Sequence, residues 1–139
     1  MSQLPSGLPE TVGNEEDLAR FLTQSSHYNS SVVKPGAFLP SPRDRSTSVS
    51  RHGREPVDVL RELGQVAAGS RSLYGAAIIK AAAVRNAALD VISSEPPERH
   101  ALIQGWAWID NDPERQKAQQ KERALLLASI AGSPLIFDR

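Results

Sequence analysis

The sequence predicts a single α+β domain, with three to four helices packed on a small, mainly antiparallel sheet. Three observations lead there. Asp112-Pro113-Glu114-Arg115 is a strong helix start, with an acceptor at the cap and proline in the first turn. Val57, Leu60, Leu63 and Ala67 recur at helical spacing and are closed by Gly69. Short apolar or alternating runs at 47–51, 73–80 and 99–106 are bounded by glycine, proline and serine, as strands are.

In chain order, residues 1–13 contain Pro5, Gly7, Pro9 and Gly13 without periodicity and are expected to form a flexible arm before a domain at 14–139. Asn14 followed by Glu15, Glu16 and Asp17 resembles a capped helix start. Leu18, Phe21 and Leu22 then fall on one stripe, which predicts a helix over 14–25. Residues 27–54 are irregular, with short extended pieces interrupted by Pro35-Gly36, Pro40 and Pro42. Thr47-Ser48-Val49-Ser50-Arg51 alternates as a strand. Pro56 suits the first turn of the helix over 56–69. Residues 73–93 admit two readings. Gly75 and Ile78-Ile79 favour a strand over 73–80 and a short helix over 81–89, whereas the alanine content favours one long helix, which would make the fold mostly α. Residues 99–106 read as a buried strand and 112–131 as a helix with a polar first half. Leu135-Ile136-Phe137 forms a last strand or a docked tail.

Composition bounds the function. The chain has 139 residues, enough to bury a core without staples, and no cysteine, which excludes disulfides, thiolate metal sites and cysteine nucleophiles. That absence fits a reducing compartment, and a cytoplasmic location is expected, because the N-terminus lacks a basic start and apolar core of a secretory signal. Lysine plus arginine and aspartate plus glutamate number 16 each, so a protein coating nucleic acid over its whole surface is disfavoured and any basic patch must be local. No apolar run approaches the length of a membrane helix, so no membrane partner is expected. With 5 % aromatic residues, the core rests on aliphatic side chains and alanine. A modest core of that kind leaves room for a protein partner or self-association.

His27, then Lys34-Pro35-Gly36-Ala37-Phe38-Leu39-Pro40, Ser48-Val49-Ser50-Arg51 and His100-Ala101-Leu102-Ile103-Gln104-Gly105-Trp106 together resemble the pattern of a family of small bacterial proteins of unassigned activity. The resemblance spans residues 14–131. This chain has Ser50 where that pattern carries phenylalanine, and Ala107 where it carries proline. What the resemblance implies is a common fold. It brings no mechanism.

Four groups of residues carry candidate chemistry. His27, Arg51 and His100, with His52 nearby, would supply acid, base and charge neutralisation for a metal-independent enzyme acting on a phosphate-bearing substrate such as a nucleotide or RNA. Their structural alternatives are a helix-capping His27, an ion-paired Arg51 and a hydrogen-bonded strand His100. Lys34, Arg43, Arg45, Ser48 and His52 would bind an anionic ligand, with Tyr28 and Phe38 available for stacking. Their alternative is a solvated loop. Trp106 and Trp108 would share a strand face as a protein contact, or anchor the core. No spacing of histidines and carboxylates suits a metal, and neither a P-loop nor a dinucleotide-binding glycine motif is present, so no cofactor is expected. The leading expectation is a small binding or accessory module that contacts a protein or an anion through residues 27–54.

Overall fold

The computed structural model describes residues 4–51 and 55–137. The elements are β1 (Asp17–Leu22), β2 (Thr47–Arg51), α1 (Val57–Ala68), β3 (Gly75–Lys80), α2 (Ala81–Asn86), β4 (Asp90–Ser93), β5 (His100–Gln104), α3 (Pro113–Ala131) and β6 (Leu135–Ile136). Two 3-10 turns, Ser25–His27 and Pro35–Ala37, interrupt the long excursion between β1 and β2. The six strands form one antiparallel sheet in the order β4-β5-β2-β1-β3-β6. The fold is therefore α+β, and the mostly helical alternative does not apply.

One face of the sheet carries the main core. Leu18 and Leu22 of β1, Val49 of β2, Ala77 and Ile79 of β3, Val91 of β4, and Ala101 and Ile103 of β5 pack with Val84 of α2, Ala124, Leu127 and Ala128 of α3, and Phe38. Each fully buried Leu, Ile or Phe side chain contributes about 1.5–3 kcal/mol of transfer free energy. Among the described residues, α1 is the helix on the other face, where Leu60 packs with Ala19, Phe21, Ala76 and Phe137. Beyond α1, the face formed by β2, β5 and β4 stays open: Ile92 is exposed, and Leu102 and Gln104 are half-buried.

The helix expected over 14–25 is a strand. Leu18 and Leu22 face one layer while Ala19 and Phe21 face the other. A strand buried on both faces reads as an almost unbroken apolar run, which also satisfies an i, i+3, i+4 count. The acidic residues before it serve the tertiary structure instead of a helix dipole. Glu16 pairs with Arg51 and Asp17 with Lys80, while Asn14 Oδ1 accepts from Arg85. The segment 73–93 is strand, then a short helix, and then a further strand, β4, that the sequence did not suggest. Residues 4–13, expected as a flexible arm, lie along the domain. Ser6 donates to Glu95, Pro9 O accepts from Arg51, Glu10 O accepts from Ser93, and Val12 is buried in the main core.

Helix α3 starts as expected: Asp112 accepts from the Arg115 amide at 3.1 Å, and Pro113 occupies the first turn. Its polar half is used. Gln116 Oε1 accepts from Ile109 N, Gln120 donates to Ala107 O, and Arg123 donates to Ala87 O. The two glutamines satisfy backbone groups of the irregular segment after β5, and Arg123 one at the end of α2, a debt any buried backbone must settle. Among the described residues, no helix is long and apolar enough to cross a membrane.

Candidate functional site

A pocket of about 440 Å³ opens between α1 and the uncovered half of the sheet. Its floor comes from β2 and β5. Ser48 and Ser50 alternate with the core-facing Thr47, Val49 and Arg51, so their hydroxyls point to the α1 side. Leu63, Val66 and Ala67 of α1, with Phe21, give the pocket an apolar wall. Among the described residues, the hydroxyls of Ser48, Ser50 and Thr23, all lining the pocket, make no hydrogen bond.

Arg20 occupies one end. β1 and β2 pair only at Leu18↔Arg51 and Ala19↔Ser50, then part. The Arg20 guanidinium fills the gap: Nε donates to Ala37 O at 2.6 Å and Nη1 to Ser48 O at 2.9 Å. Both acceptors are neutral carbonyls, and no carboxylate pairs with this cation among the described residues. Burial first, and then the neighbouring Arg71 charge, push its pKa down to about 10. Arg71 lines the same end while its Nε and Nη2 cap α1 through Ala68 O and Ala67 O. The result is a two-arginine corner with spare N–H groups and no carboxylate paired with either arginine among the described residues.

His100 occupies the other end. It stands directly opposite Ser50 in the β2–β5 register, and both line the pocket. His100 Nδ1 lies 2.9 Å from Ser94 O. A carbonyl only accepts, so the neutral ring carries its proton on Nδ1 and keeps a lone pair on Nε2, which has no partner among the described residues. The exposed carboxylate Glu98 lies on the same rim.

The other residues indicated by the sequence are placed as follows. Arg51 is fully buried and used up. Nε and Nη2 grip Glu16 at 2.6 and 2.7 Å, and Nη1 donates to Pro9 O. His27 packs its ring against Gly36, on the 25–38 excursion. Burial, and then the Arg20 charge, hold its pKa below the ordinary histidine value. No hydrogen bond joins the side chains of any two of His27, Arg51 and His100. Lys34, Arg43 and Arg45 are exposed and stand apart from the pocket. Arg45 lies over the Trp108 ring, 5.1 Å from its centroid. Of that basic set, Ser48 alone joins the pocket. His52 lies outside the described residues.

Trp106 and Trp108 follow β5 in irregular backbone and share no strand face. Trp106 is core, its indole donating to Ile103 O at 3.1 Å, and Trp108 is half-buried beneath Arg45. The apolar side chains that α3 does expose are Leu125, Leu126 and Ile130. No group of three or more histidine, cysteine, aspartate or glutamate residues is placed to hold a metal among the described residues.

Arg20 and Arg71 escaped the sequence reading. The available signal was a lone arginine inside the apolar run Asp17-Leu18-Ala19-Arg20-Phe21-Leu22, a strong oddity once that run is read as a strand buried on both faces.

No protein-family model, curated protein or solved structure matches the chain.

Proposed function

We propose that this protein is a small binding module whose pocket between α1 and the sheet takes the anionic group of a small ligand. One observation carries the reading: Arg20 is a half-buried cation with no carboxylate partner among the described residues, beside a second arginine, in the lining of a concave pocket. A buried charge is costly unless paired, and an incoming carboxylate or phosphate would pair it through the unused guanidinium edge. Ser48 and Thr23 add hydroxyl donors. The reading keeps Ser48 and Ser50 of the 27–54 segment and moves the centre of the site to Arg20. The cysteine-free chain suits work in the cytoplasm.

The test is an NMR titration of the histidine imidazoles with benzoate and, separately, phenyl phosphate. Saturable shifts at His100 and a rise in the His27 pKa are expected, because an anion on Arg20 offsets the charge that depresses it. Arg20→Met should remove both effects. Arg71→Gln, at an exposed position, should weaken them if the first variant folds poorly. Absence of any saturable shift with either probe overturns the reading.

A second reading is a metal-independent enzyme acting on a phosphate-bearing substrate. It is favoured by the hydrogen bond from His100 Nδ1 to Ser94 O, which leaves the Nε2 lone pair of a pocket-lining residue to act as a base. His27 and Arg51 have no part in it. Hydrolysis of 4-nitrophenyl phosphate that His100→Ala abolishes would support it. A rate equal to the buffer blank would end it.

A further inference from the structure

The two ends of this pocket differ in kind, and the difference specifies a ligand. At one end Arg20, Arg71 and Ser48 offer donors and positive charge. At the other, His100 Nε2 and Glu98 offer acceptors and negative charge. The strand β2 gives the spacing. Ser48 O accepts from Arg20, which reaches it from β1, and His100 stands opposite Ser50 on β5, so the ends lie across β2 and two residues apart along it. The offset along the strand is about 7 Å, and the width of the strand adds to it. Between them the α1 wall of Leu63, Val66 and Ala67, together with Phe21, is apolar.

Resting on the anion-binding reading above, we infer that the ligand is a bifunctional small molecule. It carries a carboxylate or phosphate for Arg20 at one end and a hydrogen-bond-donating nitrogen for His100 and Glu98 at the other. An apolar body at least as long as one two-residue strand step separates them. The class is that of ω-amino acids and amine-bearing aromatic acids. An α-amino acid does not span the pocket, because its ammonium and carboxylate share one carbon. A plain fatty or aromatic acid fills the apolar wall and leaves the acceptor end without a partner. A site built to receive a hydrogen bond discriminates against a ligand that lacks it.

The experiment compares three probes on the full chain, by calorimetry and by the imidazole shifts: benzoate, 4-(aminomethyl)benzoate and 2-(aminomethyl)benzoate. The para amine should bind about tenfold tighter than benzoate, the gain expected of one hydrogen bond to a charged or buried partner. The ortho isomer has the same charges at the wrong spacing and should gain nothing. Glu98→Gln, at an exposed position, should cut the advantage of the para amine over the ortho isomer. If benzoate binds and the para amine has no advantage over the ortho, the bifunctional ligand is overturned and the anion site stands. If benzoate itself fails to bind, the anion site falls, and this inference falls with it.

Discussion

Glu16 and Arg51 hold each other through two parallel hydrogen bonds, 2.6 and 2.7 Å long, and the arginine is fully buried. The pair joins the start of β1 to the end of β2, and the third arm of the guanidinium fixes Pro9 O. Bidentate geometry of this kind is the strong form of an ion pair. Removing one partner leaves a buried cation. Glu16→Ala is expected to cost about 3 kcal/mol, near the low end for an orphaned buried charge because Glu16 itself reaches solvent. Urea denaturation checks this. A change below about 0.5 kcal/mol would put the pair in the class of surface salt bridges.

The same pair sets an acid limit. Burial alone would raise the Glu16 pKa, but hydrogen bonds from Arg51 and the Gly13 amide outweigh it and hold the pKa below the ordinary 4.5. A carboxylate depressed in the folded state contributes stability that is full above the unfolded value and is lost as pH falls through the folded one. Stability should therefore drop below about pH 4.5, and more steeply in the parent than in Glu16→Gln, as followed by denaturation midpoints across pH 3–6.

His27 gives a second, milder window. Its folded pKa lies below 6.5 because burial, and then the Arg20 charge, disfavour the imidazolium. The unfolded chain therefore binds more protons between the two values, so stability is full above about pH 6.5 and declines as pH falls towards the folded pKa. His27→Gln should flatten the profile between pH 5 and 7. An unchanged slope would show that neither burial nor the Arg20 charge lowers the folded pKa.

Two glycines make steric predictions of different kinds. A Cβ at Gly75 would sit 2.1 Å from Leu135 O, a backbone atom that cannot yield without moving β6. Gly75→Ala should cost about 1–3 kcal/mol and release β6, which amide exchange at Ile136 would register. A Cβ at Gly64 would meet Phe21 and Leu73 side chains at 2.9 Å. Overpacking of about 1–3 kcal/mol is there partly offset by a helix-propensity gain of about 1 kcal/mol, so Gly64→Ala should cost about 0–2 kcal/mol, less than Gly75→Ala. Because Phe21 lines the pocket, the same variant should weaken benzoate binding. Unaltered affinity would mean that Phe21 does not shape the cavity.

The legible parts of the fold were those with local causes. The α3 start at Asp112-Pro113, the α1 stripe closed by Gly69, and the alternation of β2 are written in neighbouring residues. β1 was misread because its apolar spacing satisfies a helix and a doubly buried strand alike, and only its partners β2 and β3 decide between them. β4 was missed because Asp90-Val91-Ile92-Ser93 is short and follows an alanine-rich helix. Its state depends on pairing with β5. For the site, the sequence pointed to His100 and Ser48, which reach the pocket. Arg20 lies within β1 and Arg71 just after α1, far apart in the chain, and only the tertiary fold makes them neighbours.

The short seam between β1 and β2 ties recognition to local opening. A strand that leaves its neighbour after two residue pairs exposes an unmade ladder, and here a side chain closes it in place of backbone amides. A ligand that engages Arg20 stiffens the clasp across that seam. Occupancy would then be written in the amide exchange of Leu22, which does not line the pocket, so slowed exchange there would report on binding from within the sheet.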